Sequence, residues 1–390
     1  MAAEQSKGLA RAREVYLDRS RRAKELRAEG KKVVGYLCIY PVLEMVTALD
    51  LMPYRLFGDM REPITEADSY LPTVVCPFLR SCLDLGLKDR YDFLDGIITC
   101  HICDVGASLG GLWDYAVQTP FSHHLDTPHT LHETSLKQEK AMVVGLKEAL
   151  EGFAGRTISA PALRNAITLH NQQRALVREM YDLRKPDPPL ISGVETVRVI
   201  KAIQSLPVQE GNQLLREVIS EARERRDGPR KKSARLLLWG SILDDTALVE
   251  MIESLDANVV MDDTCVGSRG FFSDVELTED PLDGLARYYL TEIRCPRTFR
   301  SRDYMEARKD YMKDLESRFS YLHDYARDWN AGGVILESVR YCDTHGYEVP
   351  GVEDYLDSVG LPRTYLEHDY TEGALAPLRT RVQGFLEIIG

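Results

Sequence analysis

Apolar residues along this chain alternate between short continuous runs and longer stretches with helical spacing. Val33 to Tyr40 (VVGYLCIY) is too brief for a helix and rich in strand formers. Pro41 to Leu51 returns to helical spacing, with Pro41 suited to a first turn. Leu94 to Cys100 (LDGIITC) and the stretch Phe121 to Leu125 predict two further strands, and helical periodicity dominates from His132 to Met180. The three prolines of DLRKPDPP (Asp182 to Pro189) predict a stop, because proline fixes φ and lacks a backbone donor. Another helical stretch ends in the polar run ERRDGPRKKS (Glu224 to Ser233), the best boundary in the chain. Beyond it the pattern restarts with ARLLLWGSIL, a helix from Thr246 to Leu255, ANVVMDD, further helices, GGVILESV, PRTYLEHD and a C-terminal amphipathic helix.

Apolar strands alternating with helices imply parallel sheets covered on both faces. The expected fold class is α/β, with two Rossmann-like (flavodoxin-like) parallel-sheet domains joined by helices. The expected division is an N-terminal helix over 1–32, a first α/β domain with a helical extension over 33–183, a helical linker over 184–232 and a second α/β domain over 233–390. A length of 390 residues suits this division at roughly 150 residues per domain.

Composition narrows the function. Lys+Arg number 49 against 61 Asp+Glu, and the net charge of −12 argues against a nucleic-acid-binding body. The basic residues near the start, Arg11, Arg13, Arg19, Arg21, Arg22, Lys24 and Arg27, are interleaved with Glu14, Asp18 and Glu25 and read as a solvated helix face. That stretch has no apolar core and predicts neither a signal peptide nor an anchor; no run elsewhere approaches the roughly 18 apolar residues of a membrane span. The expectation is a cytoplasmic protein with no membrane partner. In a reducing compartment, eight cysteines are not expected to form four disulfides. Several of them stand at or just past strand-like runs: Cys38, Cys100 and Cys103, Cys265, and Cys342. Ligands of open parallel sheets bind beyond the carboxyl ends of the strands, so this placement predicts a thiolate site.

Familiar catalytic patterns are missing. No GxxxxGK[ST] occurs, no GxGxxG follows the first strand of either domain, and there is no GxSxG. Cys100-His-Ile-Cys103 is a lone CxxC, a weak signal for zinc without a second pair. Longer phrases say more. GYLCIYPVLEMVTALDLMPYRLFG (Gly35 to Gly58), CPFLRSCLDLGL (Cys76 to Leu87), DGIITCHICDVGASLGGLWDY (Asp95 to Tyr115), VVMDDTCVGSRG (Val259 to Gly270) and the long C-terminal phrase beginning GGVILESVRYCDTHGY and closing on LRTRVQGFLEII are spread from Gly35 to Ile389. Together they resemble the benzoyl-CoA reductase and 2-hydroxyacyl-CoA dehydratase family of iron–sulfur enzymes.

The resemblance implies a 4Fe-4S cluster held by three cysteines, at positions matching Cys76, Cys103 and Cys342, in the crevice between the domains. The choice of Cys103 over Cys100 follows the Cys-Asp pair and could be reversed. Cys38 and Cys265 fall in family motifs as neighbours of the site, and Cys82, Cys100 and Cys295 read as packing residues. Where many dehydratases have Tyr-x-Pro-Glu-Glu, this chain has Tyr40-Pro41-Val42-Leu43-Glu44. Glu44 is expected to orient a ligand, relay a proton or simply charge a helix N-terminus. His123 and His124 are candidates to supply a proton. Arg269 is expected either to meet a CoA phosphate or thioester oxygen, or to pair with Asp262 or Asp263. The resemblance further implies an acyl-CoA substrate, a homologous second iron–sulfur subunit, a separate activator pair that hydrolyses ATP, and ferredoxin as upstream donor. The altered proline–glutamate step favours a dearomatising benzoyl-CoA reductase over a 2-hydroxyacyl-CoA dehydratase. A third branch carries a double-cubane cluster. From a different class, the chain could be a cysteine-rich scaffold subunit without a catalytic cluster.

Overall fold

The computed structural model describes residues 8–300 and 309–389. Two helices, α1 (Gly8–Leu17) and α2 (Arg21–Ala28), precede the first sheet. That sheet is built by β1 (Val33–Tyr36), α3 (Leu43–Ala48), β2 (Met52–Arg55), α4 (Pro77–Leu87), β3 (Gly96–Cys100), α5 (Asp104–Ala116) and β4 (Ser122–Leu125). Four helices follow: α6 (Glu133–Ala154), α7 (Ala160–Asp182), α8 (Gly193–Ile203) and α9 (Val208–Glu224). The second sheet uses β5 (Ala234–Gly240), α10 (Ala247–Glu253), β6 (Ala257–Asp263), α11 (Pro281–Arg287), α12 (Tyr311–Asp328), β7 (Gly333–Val339), α13 (Asp343–Gly346), α14 (Val349–Ser358), β8 (Arg363–His368) and α15 (Leu375–Ile389).

Both sheets are four-stranded and fully parallel, with orders β2-β1-β3-β4 and β6-β5-β7-β8. The same winding is used twice, which is the Rossmann-like α/β architecture expected from the strand–helix alternation. In each, the chain reverses direction across the sheet between the first and third strands, so each sheet has one topological switch point. Strands β1, β2, β3, β5, β6 and β7 are buried along their whole length, as parallel strands covered by helices must be.

Three differences from the sequence pattern matter. Strand β2 contains Pro53, and a proline cannot donate to a ladder; it is tolerated because β2 is an edge strand. The N-terminal basic stretch is not simply a solvated face: Ala12 and Ala23 are buried, Arg11 pairs with Glu217, and Arg22 pairs with Glu210, fastening α1 and α2 to α9. Finally, Val275, Leu285, Tyr288, Tyr289 and Cys295 come from the second half of the chain but pack into the core around β1 and β3. A boundary at 232/233 therefore separates the two sheets but not their cores. Among the described residues, no helix is long and apolar enough to cross a membrane.

Candidate active site: a thiol-lined cavity between two sheets

The two switch points face each other. Between them lies a cavity of about 60 Å³ lined by six of the eight cysteines: Cys38, Cys76, Cys103, Cys265, Cys295 and Cys342. The halves are tied at this seam. Arg55, closing β2, donates 3.0 Å to the Cys265 carbonyl, and Asp244, just past β5, accepts from the Gly58 N–H at 3.0 Å and from the Tyr370 hydroxyl. All eight cysteines are free thiols.

Cys76, Cys103 and Cys342 share one local design. Each is the residue immediately before a helix: Cys76 before α4, Cys103 before α5 and Cys342 before α13. Pro77 occupies the first turn of α4, where its missing N–H costs nothing. The Cys103 sulfur accepts from the Gly106 N–H at 3.4 Å, taking the place of the usual oxygen cap. Tyr341, with φ of 62°, turns the chain between the end of β7 and Cys342. The helix dipoles of α4 and α5 thus point at the cavity and favour negative charge there. Burial acts in the opposite direction. It raises all three thiols, with further contributions from the neighbouring thiols at Cys76 and from Asp343 at Cys103; Cys342 is pushed up to about 12. Without a positive partner these groups stay protonated, and a cation entering the cavity would displace their protons.

The other three cysteines form a second group. Cys265 and Cys295 are hydrogen-bonded to each other, and Cys38 is their neighbour. The hydrogen bond from Cys265 and the positive charges of Arg269 and Arg297 pull Cys295 down, to about 5. Burial and the Cys295 charge push Cys38 up. Arg269 Nη1 donates 3.2 Å to the Cys265 sulfur and stands 3.1 Å from His345 Nε2. A guanidinium only donates, so Nε2 accepts and the imidazole proton sits on Nδ1, which lies 3.4 Å from the Cys342 sulfur. Arg269 and His345 therefore connect the two thiol groups. Burial and Arg269 hold the His345 imidazole neutral, well below its ordinary range.

The remaining candidates fall in different places. Arg269 is buried and forms the carboxylate pair that the sequence offers as one of its two fates, with Asp263 at 3.1 Å. Glu44 is fully buried, 2.6 Å from Arg174 and 2.8 Å from the Tyr289 hydroxyl. Its partners line a second hollow of about 70 Å³ that shares Cys38 with the thiol cavity. His123 and His124 lie on β4, the edge strand; His124 bonds to Thr99 at 2.9 Å, and neither histidine lines the thiol cavity. Of the Cys100/Cys103 pair, Cys103 lines the cavity and Cys100 packs into the core, with Cys82 likewise outside the cavity. Sequence reasoning missed Cys295, Arg297 and His345 as cavity residues. A Cys-Pro-Arg step in a polar stretch was the one signal for the first two, and its value depends on a tertiary contact that no local period reveals.

Among the described residues, no group of three or more His, Cys, Asp or Glu side chains converges closely enough to hold a single metal ion. The chain matches the family model described as "2-hydroxyglutaryl-CoA dehydratase, D-component" over residues 38–389. It is 27% identical over 364 residues to a benzoyl-CoA reductase subunit of Thauera aromatica, covering 92% of this chain and 91% of the relative. It is 22% identical over 370 residues to the (R)-phenyllactyl-CoA dehydratase beta subunit of Clostridium sporogenes (94% of each), and 23% identical over 364 residues to the beta subunit of (R)-2-hydroxyglutaryl-CoA dehydratase of Acidaminococcus fermentans (93% of each). These relatives are subunits of enzymes acting on CoA thioesters, and they match the chain across both sheets and the cavity between them. The protein belongs to the 2-hydroxyglutaryl-CoA dehydratase D-component family, whose relatives here are benzoyl-CoA reductase and 2-hydroxyacyl-CoA dehydratase subunits.

Proposed function

We propose that this chain is the iron–sulfur subunit of an ATP-dependent benzoyl-CoA reductase, with a 4Fe-4S cluster held by Cys76, Cys103 and Cys342. The observation that carries the reading is the convergence of these three thiols, from three separate segments and each at a helix start, on one cavity. The residues fit such a group. In a cluster each cysteine binds a different iron, so the ligands stand further apart than around one ion, in keeping with the lack of a single-ion constellation among the described residues. Bound there with one iron free of cysteine, the cluster would supply a one-electron transfer to an acyl-CoA thioester. The chain's own residues prepare that step: α4 and α5 stabilise negative charge, Arg269 holds the Cys265/Cys295 pair, and His345 presents a proton to the Cys342 sulfur. Nothing in the sequence provides a phosphate-binding loop, which supports a separate ATP-hydrolysing activator pair fed by ferredoxin, and a homologous second iron–sulfur subunit as partner. The benzoyl-CoA reductase choice is supported by the altered proline–glutamate step and by the 27% identity to a reductase subunit. The competing reading is a 2-hydroxyacyl-CoA dehydratase subunit. The complex assembled with its activator, ATP and a strong reductant should consume benzoyl-CoA, and turnover of a 2-hydroxyacyl-CoA alone would reverse the choice.

One observation favours a second reading. Cys38, Cys265 and Cys295 face the same cavity as the first three thiols, which is the ligand supply a double-cubane cluster would need. Cys295→Ser separates the readings: it leaves iron per chain unchanged if only the first triad binds, and halves it if both do. A scaffold role predicts no iron in either protein.

A further inference from the structure

Beside Arg297, which lines the thiol cavity, lies a buried polar cluster that the proposed chemistry leaves unused. Glu139, on α6, is buried to 1% exposure, and its Oε2 has no hydrogen-bond partner. Three neighbouring buried atoms are in the same condition: Thr127 Oγ1, His129 Nε2 and Arg297 Nε. They belong together. Arg297 Nη2 donates to the Thr127 carbonyl at 2.5 Å, Phe299 N–H donates to the His129 carbonyl at 2.8 Å, and Glu139 feels both Arg297 and Thr127. Glu139 and Thr127 interact, yet Glu139 Oε2 keeps unfilled hydrogen-bond capacity, and a buried polar group left that way calls for a role. The guanidinium of Arg297 lies over the Tyr40 ring and also lines the thiol cavity, where its charge favours the anionic form of Cys295. Arg297 is therefore shared between a carboxyl on one side and the cavity on the other.

The His129 ring lies 4.7 Å from that of His101, which is partly exposed and bonds Asp126 at 2.7 Å. The charged and titratable groups that act on Glu139 or feel it are Arg297 from the loop after Cys295 and Cys100 at the end of β3.

Given a redox group in the thiol cavity, the reading proposed above, we propose that Glu139 is a positioning residue that takes up one proton when that group gains one electron. The balance is simple. An electron from a low-potential donor enters the cavity, a proton from solvent reaches the Glu139 carboxylate, and the carboxylate becomes a carboxyl. Net charge around Arg297 is then unchanged: the guanidinium turns from a carboxylate lost on one side to a negative charge gained on the other. Physical support comes from the group's own balance of forces, since burial raises the Glu139 carboxyl to about 7 and Arg297 only partly offsets this. A group poised there changes state in response to one nearby charge.

The test has two readouts. In metal-free protein, the infrared carboxyl band of Glu139 should titrate near neutrality and be missing in Glu139→Gln. In anaerobically loaded protein, the midpoint potential measured with titanium(III) citrate should fall with rising pH, toward the one-electron equivalent of a tenfold change, about 59 mV, per pH unit. Glu139→Gln should flatten that slope, and Glu139→Asp should keep it with a displaced midpoint. A wild-type potential independent of pH from 6 to 8, or a slope retained in Glu139→Gln, overturns the proposal, and the wild-type slope needs no variant to fold. Failure of the protein to take up any redox group overturns instead the reading on which it rests.

Discussion

Replacing Arg174 by methionine removes the cation that faces Glu44 while leaving the carboxylate where it is. The pair is among the most deeply buried in the chain, with side chains 6% and 0% exposed and 2.6 Å apart. The Tyr289 hydroxyl satisfies the other carboxylate oxygen, and Arg174 also donates to Tyr288 and Asn171. Burial alone would push the Glu44 carboxyl up, but Arg174 and His170, with the hydrogen bonds from Arg174 and Tyr289, bring it below its ordinary value. Breaking such a pair from one side costs about 3–5 kcal/mol, because an uncompensated charge remains. Arg174→Met should therefore lower the urea midpoint strongly. The double variant Glu44→Gln/Arg174→Met should recover on the order of 1–3 kcal/mol of that loss.

The pH dependence gives the sharper check. In the wild type, a depressed carboxyl contributes stability above its unfolded value that is lost as pH falls through its folded value. In Arg174→Met burial is opposed only by His170 and the Tyr289 hydrogen bond, so the Glu44 carboxyl is raised and the variant loses stability as pH climbs from 5 to 8. The gap between the two proteins must widen over that range. Urea titrations followed by far-ultraviolet circular dichroism at both pH values measure it. A gap under about 1 kcal/mol, or one that does not change with pH, would refute the view that Glu44 is held as a structural carboxylate tying α3, α7 and the segment at Tyr289. It would leave room for Glu44 as a mobile proton carrier.

Other outcomes follow from the same kind of argument. Burial lowers His368, but Glu337 at 2.8 Å overrides it and the net direction is up. Its stabilising contribution is thus complete below the ordinary imidazole value and lost as pH rises through the folded one, and His368→Gln should flatten the melting temperature against pH in that window. Glu139 is shifted the opposite way for a carboxyl, from 4.5 to about 7, so it costs the fold about 3 kcal/mol at alkaline pH; Glu139→Gln should be more stable than wild type near pH 8 and equal to it near pH 4 by thermal melting. Cys295→Ser in metal-free protein should remove thiolate absorbance already present at neutral pH, whereas Cys82→Ala should leave it intact, because burial raises Cys82 well above the ordinary thiol value.

How much of this was legible in the sequence depended on the range of the interactions involved. Strands β1, β3, β5, β6 and β7 are visible as apolar runs because their burial is continuous and local. The proline stop at Asp182 is equally local, and α7 ends on that residue. Strand β2 escapes because four residues including Pro53 carry no period, and only its edge position makes the proline acceptable. Helix α5 is diluted by Gly106, Gly110 and Gly111, yet two of these are required: a Cβ on Gly106 would lie 2.3 Å from Ile102, and one on Gly110 2.6 Å from Thr99. The gathering of Cys76, Cys103 and Cys342 follows once the strand ends are known, since each follows or faces one. The second thiol group does not follow, because Cys295 arrives from a segment that leaves its own sheet to pack on the other. Glu44 illustrates the same limit. Its place at a helix start is local and visible, whereas its fate is set by Arg174 and Tyr289, 130 and 245 residues away.

The central claim is that three of the eight thiols hold an iron–sulfur cluster. Iron and acid-labile sulfide, measured on protein prepared and reconstituted without oxygen, test it most directly when wild type is compared with single Cys→Ser variants. The account predicts a coloured protein carrying both elements, a marked loss in Cys76→Ser, Cys103→Ser and Cys342→Ser, and retention in Cys82→Ser and Cys100→Ser. Colourless wild-type protein without iron, or full iron in Cys342→Ser, would contradict it.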